Sequence, residues 1–367
     1  MERVAELSGK PRIERVVPAA AIAGGEVAIQ GHGFASGNNG KPQVKFGEAT
    51  AGVVVASDDF VVATVPDNGA GSSVQVATEA GESSAPVEIG ALIADNLHPV
   101  ANPAVDAEGN IYVTFSGRRG QKVPISLYRI SPAFEVKPLL GDLLNATGLA
   151  LDSSGALYVS SRAEGVVYQV TRDSRKTTYS AGMGIATGLA FDADDNLFVG
   201  DRSGTIFKIG RDRQIFVFAT LEPSVAAYHL AFGLDAQLYV SGPTTSSNDA
   251  VYRVSESGQV SVYYRGLGRP QGLAFDAEGR LYVAASHHGR RGIVRFTQAG
   301  EPELVISGPN LVGLAFAPQK PGGIILATNS VLYHLAWPVP GLLLARPPGG
   351  PARRSPEAFG GEGGPRQ

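Results

Sequence analysis

The sequence predicts an all-β fold, a small β-sandwich followed by a six-bladed β-propeller, and three observations predict it. Six copies of one phrase run between Asn102 and Trp337: NPAVDAEGNIYV, TGLALDSSGALYV, TGLAFDADDNLFV, YHLAFGLDAQLYV, QGLAFDAEGRLYV and VGLAFAPQKPGGIILA. Their aspartate position (Asp106, Asp152, Asp192, Gly233, Asp276, Ala317) recurs at spacings of 46, 40, 41, 43 and 41 residues, about the length that one four-stranded blade consumes. Ahead of the repeats lie short β-branched runs bounded by Gly, Pro, Asn or Asp, and after them a Pro-, Gly- and Arg-rich end.

Residues 11–90 read as the sandwich. Val27-Ala28-Ile29, Val44-Lys45-Phe46, Val53-Val54-Val55, Val61 to Val65 and Val74-Gln75-Val76 are its strand candidates. Pro18 ahead of the Gly24-Gly25 turn, the run into Gly31-His32-Gly33-Phe34, then Phe46-Gly47 and Val65-Pro66, form a set that resembles the IPT/TIG family. That resemblance implies an immunoglobulin-like (Ig-like) sandwich serving as a spacer or docking domain. Some members touch DNA, which the low aromatic content and acidic balance argue against here.

Residues 91–337 read as the propeller. In most copies a tight turn of the Asp-x-x-Gly kind joins the first strand to the second, LYRI, VYQV, IFKI, VYRV, IVRF and VLYHL supply the third, and a looser run such as Gln259 to Tyr264 the fourth. GLAFDAEGRLYV with the following VYRV is similar to NHL repeats and to the six-bladed group that includes the SMP-30/gluconolactonase family. The segment Ala91 to Leu97 matches Pro138 to Leu144, a fourth-strand segment, so it is expected to pair with the last blade and close the ring. Residues 338–367 cannot bury a core and are expected to form a disordered tail.

Bulk properties exclude several classes. A net charge of −3 with 18% charged residues offers no field for nucleic acid. With no cysteine there are neither disulfides nor thiolate metal sites. No apolar run reaches membrane-spanning length, and no Walker loop, GxSxG elbow or HExxH occurs. The start, MERVAELSGKPRIERVVP, lacks a leader's apolar run, so the chain as written is expected to be cytoplasmic, or exported if its true start lies upstream. A monomer is expected.

Chemistry is expected at one mouth of the central channel, where first strands begin and second strands end. Asn102, Thr147, Arg162, Thr187, Arg202, Gln271 and Asn329 are the candidate ligand contacts there. His229 replaces a glycine found in four other copies, and with Asp201 and His288 it forms a candidate set for a divalent metal (Ca, Mg, Mn or Zn); His229 and His288 are also the candidate acid and base. The resemblance implies, for lactonases, a metal held by a glutamate and by channel asparagines and an aspartate. Here the region just before the first copy offers only Glu88, within the sandwich's last strand, and the mouth is mostly Thr, Ser, Asn and Gln. Asp106, Asp152, Asp192 and Asp276 fall in the repeat's turn, where Asp caps backbone amides, and are expected to be structural. The leading expectation is a bacterial-type binding or scaffold protein holding a carbohydrate, peptide or protein at the mouth. The alternative is a metal-dependent lactonase or lyase.

Overall fold

The computed structural model describes residues 9–35, 41–171, 173–246, 249–318 and 322–342, and every regular element among them is a β-strand. The sandwich has two four-stranded sheets. One runs Arg12–Val17, Glu26–His32, Phe60–Thr64, Gly52–Ala56, and the other Ala49–Thr50, Gln43–Phe46, Ser73–Thr78, Gly81–Pro86. Strand side chains alternate between faces, so Val61 and Ala63, and Val74 and Val76, point inward together. They meet Val27, Ile29, Phe34, Val44 and Phe46 in one sealed core.

The repeats form six further sheets, each with four antiparallel blade strands; five are four-stranded, and the fifth blade's sheet is extended to six strands by two short parallel strands of the sandwich. The first blade comprises Ala104–Val105, Ile111–Thr114, Leu127–Ile130 and Val136–Leu140; the second Ala146–Leu151, Leu157–Ser161, Val166–Val170 and Lys176–Ala181; the third Ala186–Phe191, Leu197–Asp201, Thr205–Ile209 and Ile215–Thr220. The fourth comprises His229–Phe232, Leu238–Ser241, Ala250–Val254 and Val260–Arg265; the fifth Leu273–Phe275, Leu281–His287, Arg290–Phe296 and Pro302–Ser307; the sixth Leu311–Phe316, Gly323–Thr328 and Leu332–Ala336. Each first strand touches the first strand of the next blade, and the sixth touches the first, so the sheets close into a propeller around a channel.

The repeated phrase supplies both the turn and the glue. One oxygen of Asp106, Asp152, Asp192 and Asp276 accepts the amide four residues on, at 2.7, 3.0, 2.9 and 2.9 Å. The other oxygen accepts the hydroxyl of Tyr112, Tyr158 and Tyr282 in the first, second and fifth blades. Where the fourth copy has Gly233, Asp235 takes over and binds Tyr239 at 3.0 Å. The same aromatic position packs edge to face on the GLAF phenylalanine of the following blade: Tyr158 on Phe191, Phe198 on Phe232, Tyr239 on Phe275, Tyr282 on Phe316, with centroids 4.8 to 5.0 Å apart.

Ala91–Ala94 pairs antiparallel with Leu332–Ala336, in the register Ala91 to His334, Leu92 to Tyr333 and Ala94 to Leu332, and completes the sixth blade as its outer strand. The sandwich is attached more firmly than a spacer would be. Ala20–Ala21 runs parallel between Glu88–Ile89 and the outer strand of the fifth blade, where Ala21 pairs with Ser307. The Ile22 amide donates to the Ser307 carbonyl, and the Glu26 amide to its hydroxyl, both at 2.9 Å. Ile22 is fully buried among Tyr282, Ala284, Ile306 and Leu311, a burial worth roughly 1.5–3 kcal/mol. From the other side, Arg290 donates to the carbonyls of Val17 and Glu26.

The C-terminal expectation needs one correction. The tail was expected to start at Pro338, yet residues 338–342 lie against the ring. Ala277 donates to the Pro340 carbonyl, Gly341 to that of Ala317, and Leu342 to that of Phe275. These bonds recur because the turn ends of the fifth and sixth blades leave unpaired backbone groups facing this segment. The rest of the expected tail, from residue 343, lies outside the described residues.

Two truncation series test these attachments by thermal melting. Removing residues 1–84 is expected to lower the Tm, because it uncovers the Ile22 pocket on the fifth blade, and removing 1–96 to lower it further by taking the closing strand. A chain ending at Leu342 is expected to melt above one ending at Trp337.

Candidate functional site: the channel mouth

At the level of the GLAF glycines the channel narrows to a neck. A Cβ on Gly148 would collide with the Thr187 carbonyl, one on Gly188 with the Tyr228 carbonyl, and one on Gly313 with the Ala101 carbonyl, so backbones of successive blades meet directly. The equivalent position is Asn102 in the first blade and His229 in the fourth.

Much of the polarity that the sequence places at the mouth is spent on this neck. Thr114 donates to the Thr147 carbonyl, Ser160 to that of Thr187 and Ser241 to that of Gln271, each bond sewing one blade to the next. Three candidate ligand contacts are therefore corrected. Thr147 and Thr187 are fully buried, their hydroxyls donating to the carbonyls of Asn145 and Gly200. The Asn102 amide reaches over Gly272 and Gly313, its Nδ2 donating to the Leu273 carbonyl at 2.8 Å and its Oδ1 accepting the Leu314 amide at 3.1 Å. It clamps the ring where the last blades meet the first, with one bond made by each of its amide atoms.

The metal set does not assemble. Among the described residues no three His, Asp or Glu side chains converge as metal ligands. Asp201 is buried and accepts the Ile185 amide at 2.8 Å and the Ser203 hydroxyl. His288 is exposed in the turn between the second and third strands of the fifth blade, its ring tilted 55° against that of His287 with centroids 4.0 Å apart. His229 lies in the channel wall, only 2% exposed, with its Nε2 unpartnered among the described residues. Adjacent blades bring strand ends to one face, but these three side chains sit at different depths. Burial pushes the His229 imidazole down to about 4, against a smaller opposing effect of its hydrogen bond with Gln271. It is neutral at pH 7.

Two cavities remain. The channel itself encloses about 220 Å³, lined by the Leu, Ala and Phe side chains of the first strands with Asn102 and His229, and Gly341 and Leu342 lie at its wall. The larger, about 420 Å³, opens at the mouth between the fifth and sixth blades. Its polar lining is Arg269, Gln271, Ser286, Arg291, Asn310 and Asn329, so two of the candidates, Gln271 and Asn329, share one pocket.

The other two, Arg162 and Arg202, occupy the same register position in the second and third blades, just after LYVSS and LFVGD. Half-burial lowers the pKa of Arg162, and the nearby charges of Arg202 and Arg119 lower it further. Arg119, Arg269 and Asn310 lie in loops of unequal length, and Arg291 in the third strand of the fifth blade, all outside the repeat's register, so the repeat does not single them out. The linkers and second-to-third-strand loops on this face carry Arg118, Arg119, Lys122, Arg162, Arg202 and Arg269, together with Asp142, Glu164, Glu222 and Asp249.

The comparisons agree with this architecture. Residues 11–88 match the IPT/TIG domain. A protein of unknown function from Bacteroides thetaiotaomicron shares the fold with a TM-score of 0.55 at 13% identity, over 92% of this chain and 99% of its own. An auxiliary nutrient binding protein from Bacteroides ovatus gives 0.52 at 12% identity, over 89% and 98%. A gluconolactonase from Xanthomonas campestris gives 0.57 at 16% identity, over 73% and 90%. Comparison with curated protein sequences finds no significant match. These likenesses show the fold: an Ig-like domain followed by a β-propeller.

Burial of His229 has a measurable consequence. The imidazole takes up a proton near pH 6.5 in the unfolded chain but only near pH 4 in the folded protein, so the unfolded state binds more protons between these values. Folding stability is therefore expected to be lost as pH falls from about 6.5 to about 4, by about 3 kcal/mol from this residue, and to be unaffected by it above pH 7. Burial lowers His287 and His334 in the same direction. Urea denaturation of His229→Gln across pH 4–8 isolates the His229 share, as a shallower slope.

Proposed function

We propose that the chain is a non-catalytic binding protein, a six-bladed NHL-type propeller over residues 91–337 that holds a polar ligand at its mouth, with the sandwich (11–90) fixing its orientation from the fifth blade. The observation that carries this reading is the mouth pocket between the fifth and sixth blades. Its volume lies within the range of small-ligand sites. The amides of Gln271, Asn310 and Asn329 offer both donors and acceptors, the Ser286 hydroxyl does the same, and Arg269 and Arg291 add guanidinium forks. Such a set suits a polyhydroxylated ligand, so a carbohydrate is favoured over a peptide or protein. The pocket's lining includes no His, Asp, Glu, Lys, Cys or Tyr, the side chains that usually serve as general acid or base. The lactonase alternative loses support because Asp201, His229 and His288 stand apart. The likeness to a nutrient binding protein over nearly the whole chain accords with a binding role.

Binding measured by calorimetry against a panel of oligosaccharides tests the reading. Asn329→Ala and Arg269→Ala are each expected to weaken a panel hit about tenfold, the effect of losing one or two hydrogen bonds, while Glu256→Ala on the opposite face has no effect. Hydrolysis of a lactone panel with added Ca, Mg, Mn or Zn is expected to stay at the uncatalysed rate. Turnover abolished by His229→Ala would overturn the proposal.

A further inference from the structure

A second group of polar side chains lies at the mouth, on the far side of the ring from the pocket. Arg162 in the second blade and Arg202 in the third stand at the same register position, and Arg119 joins them from the loop after the second strand of the first blade. Among the described residues none of the three has a carboxylate within ion-pair distance. Glu164, the nearest acid in sequence to Arg162, is turned to the hydroxyls of Ser161 and Tyr168. Asp201, next to Arg202, is buried and spent on Ile185 and Ser203. A half-buried guanidinium facing two like charges is costly to hold unless a counter-charge completes it.

The cluster is also held in place. Asn145 is 1% exposed, and its side chain fixes the loop that carries Arg119, Nδ2 donating to the carbonyls of Gly117 and Arg118 and Oδ1 accepting the Gly120 amide at 2.9 Å. The Asn145 carbonyl accepts the Arg162 amide, so one buried residue fixes the backbone that carries two of the arginines. Arg202 is braced by its Nε, which donates to the Ser224 carbonyl at 3.3 Å. Part of the ordering cost, that of the backbone and of Arg202, is therefore met before a ligand arrives.

Building on the mouth-binding reading, we propose that Arg119, Arg162 and Arg202 form an anion subsite and that the ligand is an acidic oligosaccharide, with uronate carboxylates on these arginines and its hydroxyls in the pocket across the ring. Planar guanidinium forks match carboxylates in a bidentate manner. The second and fifth blades face each other in a ring of six, so a chain of several sugar units bridges both subsites over the neck. An acidic peptide offers the same carboxylates but not the hydroxyls that the amide-lined pocket suits.

The test uses galacturonate oligomers and the same oligomers methyl-esterified, which removes the carboxylate charges at the cost of one added methyl per unit, with a poly-glutamate peptide as a third probe, titrated into the full chain by calorimetry. The acid form is expected to bind at least about tenfold more tightly than the ester at low salt, with the difference shrinking at high salt. Arg162→Gln and Arg202→Gln are expected to remove that preference while ester binding persists, Arg162→Gln with no fall in Tm because an unpaired half-buried charge is removed, and Arg162→Lys to keep part of the preference. Equal binding of acid and ester, or an Arg162→Gln variant that keeps the preference, overturns the anion subsite while the mouth-binding reading stands. Poly-glutamate binding as tightly as the oligouronate overturns the carbohydrate assignment. Failure of both acid and ester to bind overturns this inference, and the oligosaccharide panel then decides the broader reading separately.

Discussion

The whole molecule depends on how closely the innermost strands approach one another at the neck. Backbone there lies against backbone, so a side chain at Gly148, Gly188 or Gly313 has no space, and the polar groups of each strand end are met by the next blade. Close approach excludes water, and in its absence every buried donor needs a protein partner. Thr114, Ser160 and Ser241 meet that need between blades, and Asn102 meets it where the ring is joined. His229 is the exception, a large polar side chain at a glycine position, and its neutral imidazole with one unpartnered nitrogen follows from the same exclusion of water.

Outside the neck, the mouth is free to vary. Its loops leave the blades at equivalent points but differ in length, and they hold the groups that are not consumed by the ring. The pocket at the fifth and sixth blades and the arginines of the first three are both of this kind. The sandwich meets the ring next to the pocket, through Arg290 and the pairing of Ala21 with Ser307, so its position is tied to the blade that carries Ser286 and Arg291.

The architecture was legible because it is written in periodic terms. The turn aspartates declared themselves by spacing, and Ala91 to Ala94 by likeness to the fourth-strand segment near Leu139. The site was only half legible. A threonine at a mouth reads alike whether it faces a ligand or a neighbouring carbonyl, and at Thr147 and Thr187 the carbonyl wins because the neck is dry. Asp201 and His288 were grouped by blade adjacency, which fixes the face but not the depth. The pairing of Ala20–Ala21 with the fifth blade involves too few residues to leave a pattern, and its apolar anchor, Ile22, reads as an ordinary sandwich residue.

The closing strand has a consequence for biogenesis. Ala91–Ala94 is synthesised before any blade, yet its partner, Leu332–Ala336, is the last described strand to leave the ribosome. Until then the nascent chain holds an unpaired strand at each end, with the edge hydrogen bonds of both open to other chains. Pairings so distant in sequence form slowly, since loop closure must precede the contacts that reward it. Assembly of the ring is therefore expected to be the late step of folding, and the interval before it is when the chain is most exposed to aggregation.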